Sequence, residues 1–176
     1  MRGVFEAADM APQDYDWYVS DIETNWKPPG FCWEDQWFTG NELATLLHAH
    51  EVRFIWAVFS AVPKGFRSTP ASAPYVDNNP RYRDGIKPGP QIEGALFEIA
   101  CWDSSGTIVI NLPAQTIHSF LTRYPDTKPL ATARSCISIF TTGNILRIVN
   151  GCTGRPGPFV RIQCTCPNIV CRTHSR

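Results

Sequence analysis

The chain is 176 residues long, 43% hydrophobic and 18% charged, with 16 basic and 16 acidic side chains, which suits one ordinary domain and excludes a wholly disordered polymer. The zero net charge conceals a gradient: residues 1–51 carry ten acids and two bases, residues 52–126 six acids and seven bases, and residues 127–176 no acid and seven bases. The first ten residues include Glu6 and Asp9 and lack the apolar run of a secretory signal, and the longest apolar stretch, 54–62, is about half of the roughly 20 residues that cross a bilayer as a helix. The expectation is a cytoplasmic protein with no membrane association, in which each of the seven cysteines is by default a reduced thiol. Cys32 and Cys101 read as core thiols.

The other five cysteines, Cys136, Cys152, Cys164, Cys166 and Cys171, fall in the acid-free segment, which also lacks Trp and Tyr. A compositional boundary is therefore placed near Asp126. It separates a single domain, 1–126, from a basic, cysteine-rich extension, 127–176, whose mixture of Arg, Cys, Thr and Pro fits a recently added or out-of-frame extension as well as a module with its own task.

Residues 14–23 (DYDWYVSDIE) mix large apolar side chains with acids, the pattern of a strand with one wet face. Pro28-Pro29-Gly30 ends it. Residues 31–38 (FCWEDQWF) suit a strand or bulged hairpin arm that carries Glu34 and Asp35 outward. Thr39 and Glu42 have the spacing of a capping box, so a helix is expected from there, with Leu43, Leu46, Leu47 and His50 as its core-facing stripe. Residues 54–59 (FIWAVF) form the short continuous apolar run that a central, covered strand requires. Residues 63–91 are rich in Pro, Gly, Asn and Arg and read as one long loop, and loops of that length generally have a binding reason. Residues 95–102 and 107–110 read as a β-hairpin across Asp103 to Gly106. Asn111 is placed to cap a second helix with Pro113 in its first turn and a stripe of Ile117, Phe120, Leu121 and Tyr124, ended by Pro125. The order predicts an α+β fold, a mostly antiparallel sheet with two amphipathic helices on one face. In the extension, 136–140 and 145–149 flank Thr141 to Asn144 as hairpin arms would, and 159–163 could add a strand.

The order Asp16-Trp17-Tyr18, then residues 56–63 (WAVFSAVP), then Trp102-Asp103-Ser104-Ser105 before a strand and a helix, resembles a group of small bacterial proteins without assigned function and, more loosely, the immunity proteins of polymorphic toxin systems. The resemblance spans residues 14–126 and carries over no catalytic residue. It implies a role in binding.

Candidate chemistry is sparse. His48 and His50 stand two apart, a spacing that points two ligands to different sides of a helix, so no metal role is assigned to them. Cys101, Asp103 and His118 supply the residue types of a nucleophilic cysteine enzyme but without a surrounding signature. Cys152, Cys164, Cys166, Cys171 and His174 could ligate zinc, though at irregular spacing, and the basic tail lacks the stacking aromatics of a nucleic-acid module. No cofactor is expected. The strongest signal lies in the acidic half: Asp14, Asp16, Asp21, Glu23, Glu34 and Asp35 stand among Trp17, Trp26, Trp33 and Trp37, as an inhibitor's surface toward a basic protein would. The expected contacts are Glu34 and Asp35 with their flanking Trp33 and Trp37, followed by Tyr82, Arg83 and Asp84 on the long loop. The functional expectation is a non-catalytic cytosolic binding protein, an immunity-type inhibitor of a basic partner. Its alternatives are the cysteine enzyme around Cys101 and a zinc or nucleic-acid module in the tail.

Overall fold

The computed structural model describes residues 1–29, 31–84, 89–130 and 145–149, and of 83, 84 and 145–149 it describes the backbone alone. Seven antiparallel strands make one sheet in the order β2-β1-β3-β4-β5-β7-β6: β1 (Asp16–Thr24), β2 (Gln36–Phe38), β3 (Phe54–Val62), β4 (Phe97–Trp102), β5 (Gly106–Ile110), β6 (Lys128–Pro129) and β7 (Ile145–Val149). Among the described residues four α-helices accompany it, α1 (Arg2–Ala7), α2 (Gly40–Ala49), α3 (Pro80–Asp84) and α4 (Ala114–Arg123), with a 3-10 turn at Pro12–Asp14. The fold is α+β, as the pattern predicts.

Period-two alternation along the central strands sorts their side chains into two cores. Trp17, Val19, Ala57, Phe59, Ala61, Phe97, Ile99, Cys101 and Val109 share one buried cluster with Val4 and Phe5 of α1, Leu43 and Leu47 of α2 and Phe120 of α4. Its centre is aromatic: Trp17 meets Phe5 and Phe97 edge to face at centroid distances of 5.3 and 5.7 Å, and Tyr15 meets Phe97 at 4.9 Å. The alternate residues Val58, Ala100, Ile108 and Ile110 form a second cluster with Val76, Tyr82 and Leu130. A smaller group, Tyr18, Val62 and Ile92, lies beside Trp37 and Phe66. The second face is thus covered by the chain between β3 and β4, a strap that includes the short helix α3.

Several local expectations hold. The capping box is present, with Glu42 N donating to Thr39 Oγ1 at 3.2 Å and Thr39 N donating to Glu42 Oε2 at 2.7 Å. The apolar run at 54–59 is the core of β3, which continues to Val62. Other expectations are corrected. β1 has no wet face over its first half, because Asp16, Tyr18 and Ser20 are buried beneath the strap. Within 31–38 the ladder is confined to Gln36–Phe38. Asn111 does not cap α4: it has φ 59°, its side chain donates to Leu96 O at 2.6 Å, and Pro113 stands at the N-cap. Leu121 of the expected stripe is 36% exposed, and His50 lies beyond α2 as its C-cap. Cys101 is buried, whereas Cys32 is half-exposed and accepts from Gln36 Nε2 at 3.0 Å. The unanticipated α1 is held by Arg2, whose guanidinium donates to Leu47 O and His48 O at the end of α2. Residues 145–149 pair with β5 and β6, and the expected arms at 136–140 and 159–163 lie outside the described residues, as do the five tail cysteines and His174.

Asp16 ties three segments together. Its carboxylate accepts from Gly40 N at 3.2 Å, Gly65 N at 3.0 Å and Arg67 Nη1 at 2.7 Å, and the Arg67 guanidinium lies 4.8 Å above the Trp37 ring. Gly40 is required here, since a Cβ at that position would run into the Tyr15 and Pro12 carbonyls. Burial works against the charged form of Asp16, but the hydrogen bonds from Gly65, Arg67 and Gly40 outweigh it and hold the carboxyl below its ordinary range. A group whose folded pKa is depressed contributes stability that is present above its unfolded pKa and lost as pH falls through the folded one. Asp16→Asn should therefore cost about 1–3 kcal/mol near neutral pH, with the difference from wild type closing as pH falls below the ordinary carboxylate range; urea unfolding across pH measures it. All described residues of the three cores lie at or before Leu130, so a chain ending after Leu130 should still melt in one cooperative transition, at a lower midpoint because the β5–β7 ladder is lost. A non-cooperative melt would assign the tail to the core.

Candidate functional site

The site begins with an irregularity in β1. Pairing with β3 runs regularly from Asp16 to Ser20, then shifts register between Ser20 and Glu23 and again before Thr24, a bulge in which Asp21 adopts φ 53°. Asp is among the few non-glycine residues that take this conformation at modest cost. The bulge re-aims the Asp21 carboxylate toward the strap, where Oδ2 accepts from Val76 N at 2.7 Å, while Asp21 N donates to Asp35 Oδ1 at 3.1 Å. Two acids far apart in the chain from Val76 are thereby brought to the same place.

Around them an open cleft of about 480 Å³ is lined by Asp21, Ile22, Glu23, Trp33, Asp35, Trp56 and Asp77. Four of the seven are carboxylates and two are indoles. β1 supplies the floor, the turn before β2 supplies Trp33 and Asp35, β3 supplies Trp56, and the strap supplies Asp77. Trp33 is 53% exposed, yet its indole is held in place, because Nε1 donates to Thr24 Oγ1 at 2.9 Å and that hydroxyl donates to Trp26 O at 2.8 Å. An exposed ring fixed this way loses little further freedom on binding. Lys27 Nζ lies 5.9 Å from its centroid, so the Trp33 face already accommodates a cation of the chain's own. On the other side of the cleft Trp56 leans on Trp102 with centroids 5.8 Å apart.

The expected contact residues divide. Trp33 and Asp35 line the cleft, and Glu34 is exposed between them. Trp37 is half-buried instead, its ring tilted against Tyr18 with centroids 5.1 Å apart, beneath Arg67. Tyr82 is 3% exposed and serves the inside of the strap. Arg83 and Asp84 continue α3, and their side chains lie outside the described residues. Of the acids read as a surface, Asp16 is buried and turned inward, and Asp21 is shared between the strap and the cleft. Asp77 and Trp56 were not legible as site residues, since nothing local marks them and the tertiary fold alone carries them to the cleft.

The alternatives find less support. Cys101 is 7% exposed within the helix-side core, whereas Asp103 lies exposed in the β4–β5 turn and His118 exposed on α4. His48 is exposed and His50 meets Trp26 edge-on at 5.7 Å. Among the described residues, no group of three His, Cys, Asp or Glu is arranged to hold a metal ion, the acidic cleft included, and no helix is long and apolar enough to cross a membrane. No protein-family model, curated protein or solved structure matches the chain.

The Asp21 contact can be tested by itself. Asp21→Ala removes the acceptor of Val76 N and places an alanine at positive φ, and should cost about 1–3 kcal/mol. Asp21→Asn keeps an acceptor oxygen and tolerates the backbone, so it should lose well under half of that; denaturant unfolding of the two variants compares them directly.

Proposed function

We propose that the protein is a non-catalytic cytoplasmic binding protein, an immunity-type inhibitor whose cleft receives a basic side chain of a protein partner and which acts by occlusion. The observation that carries this reading is the convergence of Asp21, Glu23, Asp35 and Asp77 with Trp33 and Trp56 around one open cleft. A guanidinium suits such a place on three counts. It bonds carboxylates in pairs, it stacks on an indole face, and it is more weakly hydrated than an ammonium, so its transfer from water costs less. A fixed, exposed tryptophan among acids also has the composition of an interface anchor, with the carboxylates guiding encounter and the indole supplying desolvated area. The same charges disfavour nucleic acid, whose phosphates they would repel. Glu34, at the cleft's margin, fits a rim contact better than a buried one. No cofactor enters this mechanism.

Affinity capture from the cells that make the protein, followed by binding of the purified candidate, provides the test. Association of a true partner should slow by about tenfold or more between about 50 and about 500 mM salt. Trp33→Ala should accelerate dissociation, and the double variant Glu34→Lys, Asp35→Lys should slow association, with a modest drop in melting temperature because Asp35 Oδ1 no longer accepts from Asp21 N. A partner bound equally well by all three proteins at both salt concentrations would remove the cleft from the mechanism.

A further inference from the structure

We propose that the acidic cleft is the docking site of an arginine of the chain's own tail, Arg155, which a basic partner must displace. The proposal rests on the cleft reading for the class of ligand, a guanidinium, and on the sheet for the identity of the occupant. Its first ground is a charge without a counterpart. Asp21, Glu23, Asp35 and Asp77 meet at one cleft whose lining contains no base. Among the described residues none of the four forms an ion pair, whereas the buried Asp16 has Arg67. Like charges gathered at one place repel, and a cation brought among them relieves that repulsion. Trp33 and Trp56 add two indoles on which a guanidinium can stack.

The second ground is the place where β7 ends. Glu23 pairs with Trp56 across β1 and β3. One step beyond the Ala57–Cys101 pair Trp56 comes opposite Trp102, with the two rings 5.8 Å apart. Trp102 pairs with Gly106, and Gly106 pairs with Val149. A single row across the sheet thus leads from two residues of the cleft to the last residue of β7, which stands three strand spacings from Trp56, or about 15 Å. Because β7 runs from Ile145 opposite Ile110 to Val149 opposite Gly106, the chain leaves the sheet at the cleft end rather than the far one. Residues 150–176 lie outside the described residues, and their sequence contains Arg155, Arg161, Arg172 and Arg176 and no acid. The first of these bases comes six residues after Val149, behind the small and polar run 150–154 (NGCTG). Six extended residues span about 20 Å, enough to cross the gap, and Pro156 biases Arg155 itself toward extended backbone. A tether this short gives its guanidinium an effective concentration on the order of millimolar at the cleft. A partner's basic side chain therefore competes with a resident one.

Nuclear magnetic resonance on the nitrogen-labelled full-length chain reads the contact without a partner. The reporters are the indole N–H signals of Trp33, fixed by its bond to Thr24 Oγ1, and of Trp56, with Trp17 of the helix-side core as reference. Arg155→Gln should shift Trp33 and Trp56 and leave Trp17 in place, while Arg172→Gln should shift none of them. Raising salt from about 50 to about 500 mM should move the wild-type signals toward those of Arg155→Gln. An acetylated and amidated peptide of residues 153–158, titrated into each protein, should bind Arg155→Gln about tenfold more tightly than wild type, because the resident competitor is gone. Trp33 and Trp56 signals that ignore Arg155→Gln overturn the proposal, and so does an equal response to Arg172→Gln, the mark of diffuse attraction between tail and cleft. A response confined to Arg155→Gln, with no basic protein bound at the cleft, keeps the tail contact and removes the inhibitor function. Indifference to Arg155→Gln, with salt-sensitive binding of a basic protein at the cleft, keeps that function and removes the tail contact.

Discussion

A sheet buried on both faces by a chain with helices enough for one of them must cover the other with irregular backbone, and irregular backbone brings no hydrogen-bond ladder of its own. Each amide carried over the second face needs an acceptor, and an unmet one costs about 1–3 kcal/mol. The strands supply those acceptors as side chains. Asp16 takes the amide of Gly65, Asp21 that of Val76 and Glu98 that of Gln91, so three carboxylates of β1 and β4 are spaced along the strap. Ser20 Oγ meets the opposite need by donating to Pro74 O at 2.7 Å. The strap is fastened at intervals rather than zipped, and the cleft lies beside one of the fastenings.

This arrangement explains which parts of the fold were legible. The run at 54–59 and the Thr39–Glu42 box are local statements, settled within a few residues, and both are realised. The alternation of Asp16, Tyr18 and Ser20 against Trp17 and Val19 gives a half-wet strand when read locally. It is buried because cover arrives from more than forty residues downstream, and no window around β1 contains that cover. Asn111 had the chemistry of a cap, but its left-handed backbone turns the chain between β5 and α4 and commits its side chain to Leu96. Tyr82 looked like a contact residue because it sits in a polar loop, and its hydroxyl is spent inside on Gln91.

The acidic half of the chain has a double character for the same reason. Asp16 is consumed by the fold, Asp21 and Asp35 are partly consumed, and Glu23 and Asp77 remain exposed at the cleft. Net charge by segment identifies the region where a basic partner would be drawn, but it does not separate acids that hold the strap from acids that face outward. Trp33 was separable in principle. It stands immediately before the acids Glu34 and Asp35, which is unusual company for a core tryptophan.

The way the described sheet ends bears on how the molecule behaves in crowded solution. Its outermost strands are β2, of three residues, and β6, of two, one of them the amide-less Pro129. A foreign strand seeking to dock edge-on would find almost no continuous row of open donors and acceptors at either margin. Where β1 outruns β2 and would offer such a row, the bulge at Asp21 breaks its regular spacing. The same distortion that shapes the cleft thus guards the sheet against growing by self-association.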